Sequence, residues 1–177
     1  MITGDFIAGF TEGEGCFALT LRRDVRRERP GSPVYYSWKI SFVIVLRADD
    51  SMLLEKIKEH LRCGRISFTK NNSSVRYEVS LLEDLNSKIV PFFEHHYLCG
   101  KKKNVFLLWK EAVEILLKYK NQQKIVEMGK RGFIKTDWDQ KDIEKMLILH
   151  KKMIPYKSKH SAIKWGNMPL GRDRNIK

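Results

Sequence analysis

The sequence predicts an α+β domain in which one face of a four-stranded antiparallel sheet is apolar and covered by helices, while the other is polar and basic. Three observations lead there. The hydrophobic period changes in the order helix, strand, strand, helix, strand, strand, helix, helix. The strand segments alternate apolar and polar residues, which marks sheets with only one buried face. The charge is lopsided as well, with 34 Lys and Arg against 21 Asp and Glu, a formal net charge of +13.

Each element has its own local signal. Thr3 is placed to cap a first helix, with Asp5 in the first turn where negative charge suits the helix dipole. Phe6, Ile7 and Phe10 give that helix an apolar side; Gly9, Glu12 and Gly13 lie on another. Gly15 is expected to stop it in the left-handed conformation open to glycine. From Cys16 the period becomes two: Phe17, Leu19 and Leu21 alternate with Ala18, Thr20 and Arg22. A basic hairpin loop containing Arg26 follows to Pro33, then a second strand with Trp38, Ile40, Phe42 and Ile44 inward and Ser37, Lys39, Ser41 and Val43 outward.

Asp50 or Ser51 caps the next helix, which carries Leu53, Leu54, Ile57 and Leu61 at helical spacing, with Gly64 as its stop. Two short strands are expected near residues 65–70 and 75–82 around the Asn71-Asn72-Ser73-Ser74 turn. Ile66, Phe68, Tyr77 and Val79 would face the core, and Arg65, Ser67, Thr69, Arg76, Glu78 and Ser80 the other side. A helix over 84–95 is bent at Pro91, a long one covers 103–120, and a last one starts at Thr136-Asp137-Trp138-Asp139 and runs to about Met153. Residues 1–154 thus form one domain with C-terminal helices. Residues 155–177 form a basic tail whose one acid is Asp173.

Composition narrows the function classes. An excess of positive charge of this size on a globular chain points to a polyanion, nucleic acid first. No apolar run reaches transmembrane length, so a membrane partner is not expected. The N-terminus lacks a charged start followed by an apolar stretch, so an intracellular rather than secreted protein is expected, in the cytoplasm or an organelle matrix. Cys16, Cys63 and Cys99 are odd in number and unpaired in spacing, as reduced thiols are, and with His95 and His96 they lack zinc-site spacing.

The densest run is Ile7-Ala8-Gly9-Phe10-Thr11-Glu12-Gly13-Glu14-Gly15. Small residues four apart on a helix let another backbone approach closely. Here the glycines end a helix, whereas phosphate-binding loops begin one, so a dinucleotide fingerprint fits poorly. The run resembles the nine-residue motif of the LAGLIDADG homing endonucleases, and the element order over about residues 3–120 is similar to that family's core. The segment from Pro91 to Trp109 resembles the family's helix-to-helix junction, where a lysine enters the active site.

The resemblance implies a homodimer, because the chain holds one motif copy. Ala8, Gly9, Glu12 and Gly13 would then lie at the two-fold axis. It implies double-stranded DNA as partner, read in the major groove by a saddle-shaped sheet, and hydrolysis of one phosphodiester per strand to leave 3′ overhangs. Glu14, with Gly13, would hold Mg²⁺ or Mn²⁺, with Ca²⁺ binding but not supporting cleavage. By position Lys102 is the matching lysine, with Lys101 and Lys103 the alternatives. Where the family often carries a polar residue at the end of the second strand, Leu46 stands here, and Arg47 is the candidate for that role. The DNA-facing residues would be Thr20, Arg22, Arg26, Ser37, Lys39, Ser41, Arg65, Ser67, Thr69, Arg76 and Glu78. Members of the family also act as intron maturases, so intron RNA is a second implied partner and a non-cleaving nucleic-acid-binding protein the rival class. A structural RNA-binding protein would account for the charge but not for the motif.

Overall fold

A computed structural model describes residues 2–24, 35–123 and 138–156. Helix α1 (Gly4–Glu14) leads directly into strand β1 (Gly15–Asp24), which pairs with β2 (Tyr35–Arg47). Helix α2 (Ser51–Leu61) and the hairpin of β3 (Arg65–Phe68) and β4 (Ser74–Val79) follow. Next come α3 (Leu82–Asp84), a π-turn (Leu85–Ile89) and α4 (Val90–His95). Two longer helices, α5 (Lys101–Gln123) and α6 (Gln140–Met153), complete the order, with a 3₁₀ turn at Ile154–Tyr156. The sheet is antiparallel throughout, in the order β1-β2-β4-β3. The expected αββαββα core with added C-terminal helices is therefore present.

Strand alternation buries one face. Phe17 and Leu19 of β1, Ile40, Phe42 and Ile44 of β2, and Val75, Tyr77 and Val79 of β4 enter a common core with Ile7, Leu54, Ile57, Ile89, Phe93, Phe106 and Trp109 from the helices. Aromatic rings form its centre: Phe17 lies 5.2–5.3 Å from the rings of Phe42, Phe93, Phe106 and Trp109, centroid to centroid. The Trp109 indole N–H donates to the Ala18 carbonyl at 3.2 Å, so α5 is bonded to β1 as well as packed on it. The α6 helix lies on α5, where Trp138 stacks on Tyr119 and Asp142 accepts from both Tyr119 and Lys118 at 2.7 Å.

Several local expectations are corrected. Gly15 is extended (φ −75°, ψ 156°), and small size is what the position needs, since a Cβ there would sit 2.4 Å from the Thr11 side chain. Arg62, two residues before Gly64, takes the left-handed turn that closes α2 (φ 51°). The bend at Pro91 is drawn out into a π-turn just before it, which copes with the N–H that proline lacks. β3 stops at Phe68, which is 54% exposed at the open edge of the sheet, and Thr69 belongs to the turn, where its hydroxyl donates to Asn71 and its amide bonds Ser74. α5 begins two residues earlier than its apolar pattern suggests, at Lys101. α6 is capped by Asp139, which accepts from the Lys141 amide; Thr136 and Asp137 lie outside the described residues, as does the tail beyond Tyr156. Among the described residues no helix is long and apolar enough to cross a membrane.

The core gives a direct test. Phe42→Ala removes a fully buried ring at the meeting of sheet and helices, and is expected to cost about 3–5 kcal/mol in denaturant unfolding. Trp109→Phe keeps most of the volume but strands the Ala18 carbonyl, for about 1–3 kcal/mol. A cost below about 1 kcal/mol for Phe42→Ala would show that this cluster is not the core on which the fold rests.

Candidate nucleic-acid interface and active site

The paired registers define one continuous polar face. Directly opposed residues in antiparallel strands share a face. Ala18↔Ser41, Thr20↔Lys39 and Arg22↔Ser37 link β1 to β2; Val43↔Glu78 and Val45↔Arg76 link β2 to β4; Arg65↔Glu78 and Ser67↔Arg76 link β4 to β3. Nine of the eleven residues expected to read DNA thus sit on one face. Arg26 lies outside the described residues, and Thr69 is in the turn.

Depth on that face differs from expectation at two positions. Ser41, opposite Ala18 of β1, is only 3% exposed. Glu78 is 4% exposed and held beneath cations: Arg65 donates to it at 2.9 Å, Arg76 at 3.0 Å, and Lys39 lies 3.8 Å away. Burial pushes its pKa up, but the Arg65 and Arg76 hydrogen bonds outweigh this and hold the carboxyl below its usual range. Neither residue is an exposed reader. Arg22, Ser37, Lys39, Arg65 and Ser67 are exposed, and Arg76 and the Thr20 hydroxyl are partly so.

At one edge of this face α1 ends, and a cleft of ≈ 660 Å³ opens beside it. Glu12, Gly13, Cys16, Ala18 and Thr20 form one wall, and Lys101, Lys102 and Val105 of α5, with Tyr156, form the other. Two sets of hydrogen bonds of opposite sense tie the walls together. The Glu12 carboxylate accepts from the backbone amides of Cys99 (2.7 Å) and Gly100 (2.8 Å). Lys102 Nζ donates to the carbonyls of Glu12 (2.9 Å) and Gly13 (3.0 Å). These carbonyls belong to the last turn of α1, which has no intrahelical partners for them, and a cation there also suits the dipole. A Cβ at Gly100 would lie 2.8 Å from Glu12 Oε2, so a side chain there would displace the carboxylate from its place on the two amides. Lys102 is half-buried; burial lowers its pKa, with negative charge at Cys16, Glu12 and Glu14 opposing the shift.

Glu14 is exposed and makes no hydrogen bond or ion pair with the described residues. It is thus a carboxylate at the negative end of a helix, a position that costs stability unless a cation joins it. Its oxygens suit a hard divalent ion. One carboxylate is a half-set, and no group of three or more His, Cys, Asp or Glu able to hold a metal occurs among the described residues. The expected second donor in the chain, the Gly13 carbonyl, is already bonded by the Lys102 ammonium. Glu14 is the carboxylate left uncommitted at this position among the described residues.

Other expected site residues are redistributed. Ala8 is 3% exposed and packs in this chain's own core, so it is not part of a surface for a partner. Gly9 and Gly13 are exposed, and a Cβ at either would meet nothing within 4 Å. Arg47 points from the end of β2 with its side chain 82% exposed and bonded to Asp49 at 2.9 Å, so it stands as a surface ion pair rather than a member of the cleft. Sequence reasoning missed the Cys99 and Gly100 amides and the place of Tyr156. Gly100, directly before three lysines, was a usable signal for the first. Nothing near Tyr156 in the chain announces its place in the cleft wall.

Known proteins share this architecture. A probable intron-encoded endonuclease 2 of Neurospora crassa is 29% identical over 126 residues, which are 71% of this chain and 25% of that protein. The meganuclease I-SmaMI, solved bound to uncleaveable DNA, superposes with a TM-score of 0.65 at 22% identity over 86% of this chain and 44% of its own. A second structure of I-SmaMI, bound to uncleaved DNA target in the presence of calcium ions, gives a TM-score of 0.64 at 21% identity over 86% and 45% of the two chains. The chain thus spans about a quarter of that curated relative and less than half of the solved protein. The motif helix ending in Glu14 and the αββαββα core come together with a match of the LAGLIDADG endonuclease family model to residues 7–113, and the chain belongs to that family.

Proposed function

We propose that this chain is a site-specific homing endonuclease that binds a long, nearly palindromic DNA duplex as a homodimer. It hydrolyses one phosphodiester in each strand with Mg²⁺ and leaves 3′ overhangs; Mn²⁺ substitutes, and Ca²⁺ binds without supporting cleavage. The observation that carries this reading is Glu14, an exposed carboxylate without an ion-pair partner among the described residues, beside the Lys102 cleft and at the edge of a cationic sheet face.

The open glycines support the dimer. A glycine inside a helix costs roughly 1 kcal/mol relative to alanine. Nothing among the described residues requires Gly9 or Gly13 to lack a side chain, and close approach by a second α1 supplies a reason. Such packing would bring two Glu14 carboxylates together and complete the half-set of ligands. A divalent ion held there stabilises the charge that builds on the attacking and leaving oxygens. Lys102, fixed by two carbonyls, places an ammonium at the mouth of the cleft, where it can bond a phosphate oxygen as charge develops. Arg22, Lys39, Arg65 and Arg76 supply attraction to the phosphate backbone along the sheet.

The reading is tested by incubating the protein with Mg²⁺ and duplexes carrying the uninterrupted insertion site of an intron. Specific double-strand cleavage is expected, and binding without cleavage would favour a nucleic-acid-binding protein of the same fold. Glu14→Gln is expected to abolish cleavage and leave affinity within a few-fold, because affinity comes from contacts on the sheet. Undiminished cutting would move the chemistry elsewhere.

Lys102→Ala is expected to slow single-turnover cleavage by about 100- to 1,000-fold with a much smaller loss of binding. Equal losses at Lys101, Lys102 and Lys103 would indicate a shared phosphate patch. Gly13→Leu has space in the single chain and is expected to yield folded monomer in sedimentation. A wild-type monomer at micromolar concentration that cut both strands would sink the homodimer.

A further inference from the structure

Glu78 is a buried acid in the middle of a basic face, flanked in register by Val43 on one side and Arg65 on the other. Both of its oxygens are engaged: Oε2 accepts from Arg65 at 2.9 Å, and Oε1 accepts from Arg76 at 3.0 Å and lies 3.8 Å from Lys39 Nζ. The cations come from β3, β4 and β2. Their side chains are 69%, 42% and 52% exposed, whereas that of Glu78 is 5% exposed. The acid is therefore beyond the reach of a ligand on the sheet, while the cations above it are not.

Each guanidinium uses an NH₂ group on Glu78 and has further N–H donors beyond that bond, on side chains 69% and 42% exposed. Guanine is read by an arginine that presents two donors in a fixed orientation, whereas a freely moving arginine contacts phosphate without regard to sequence. Three cations crowded on neighbouring strands would splay apart by repulsion if nothing lay between them. One carboxylate prevents that and still leaves the patch positive by two.

We propose that Glu78 is a positioning residue for sequence recognition, holding Arg65 and Arg76 upright so that their outward N–H groups meet base edges in the major groove. The inference rests on the DNA-binding reading above. It makes Glu78 a determinant of specificity that touches no DNA.

The test is selection of binding sites from randomised duplexes by the full chain, with base preference read position by position. Arg65→Ala and Arg76→Ala are each expected to flatten the preference at particular base pairs, and Glu78→Gln to flatten it at the same ones. Glu78→Gln is also expected to bind random duplex more tightly at low salt, since a phosphate replaces the lost acid as partner. One added phosphate contact steepens the salt dependence by ~0.9 in log–log slope, about eightfold across a tenfold fall in salt. Should Glu78→Gln fail to fold, Glu78→Asp keeps the charge and shortens the reach; it is expected to lose the same preferences with random-duplex affinity unchanged. Wild-type preference at those base pairs in the Glu78 variants, or no change in either arginine variant, would overturn the proposal. A wild-type chain that bound no duplex would instead remove the DNA reading itself, and the inference with it.

Discussion

The join between the end of α1 and the start of α5 is the constraint on which the rest of the site depends. Glu12 reaches out to the amides of Cys99 and Gly100, and Lys102 reaches back to the carbonyls of Glu12 and Gly13. Donors and acceptors run in opposite directions across the same gap, so neither helix can slide without breaking both sets. Hydrogen bonds to charged groups contribute roughly 1.5–3 kcal/mol each. The arrangement also sorts the two acids of the motif. Glu12 is used internally, and Glu14, two residues on and at the turn into β1, is left to project. A helix that runs straight into a strand has little freedom at that junction, so the direction of Glu14 is set by the sheet itself.

The sheet carries the other half of the design. Its apolar face is fixed by the Phe17, Phe42, Phe93, Phe106 and Trp109 cluster, and the tight packing of such a core makes the strands a rigid platform. The polar face then inherits defined positions for its cations. Positive charge that attracts a polyanion also repels itself, and the fold answers this unevenly. Around Glu78 the cations are bridged, whereas Lys102 is bridged by carbonyl dipoles at the end of a helix. Around Glu78 the cations are held by a group that lies deeper than they do.

Much of this was legible in the chain. The change of period at Cys16, the Thr3 cap, the helical spacing of Leu54, Ile57 and Leu61 and the motif run gave the element order, and alternation gave the shared face of Thr20, Lys39, Arg65 and Arg76. What alternation cannot give is depth. Ser41 and Glu78 have the parity of solvent-facing residues and are buried; Glu78 lies on β4 between Val43 of β2 and Arg65 of β3, a property of strand order and not of local sequence. Ala8 shares the small size of Gly9 and Gly13 but points one helical step round, into the core. Gly15 was read for its conformational freedom and is needed for its lack of volume against Thr11. Contacts across 87–91 residues, such as Glu12 with Cys99 or Trp109 with Ala18, have no local signature at all.

The placing of charge at the end of α1 departs from what stability alone would select. Glu12 and Glu14 both sit in the last turn, where the helix dipole is negative and basic residues are favoured; the helix has none there. Glu12 is compensated by two amides, and the terminal carbonyls by Lys102, so the mismatch is concentrated on Glu14. Beside it Gly9 and Gly13 leave a strip of helix bare, with Phe6 and Phe10 stacked nearby and Phe6 exposed. Within one copy each of these features is a loss: a helix weakened by glycine, an apolar ring in water, an acid facing the wrong pole. A second copy of α1 against the strip would bury the ring and close the backbones, and a cation between two Glu14 side chains would reverse the sign of their electrostatics. Three separate local penalties on one surface thus have a common remedy, and the proposed pairing of two copies supplies it.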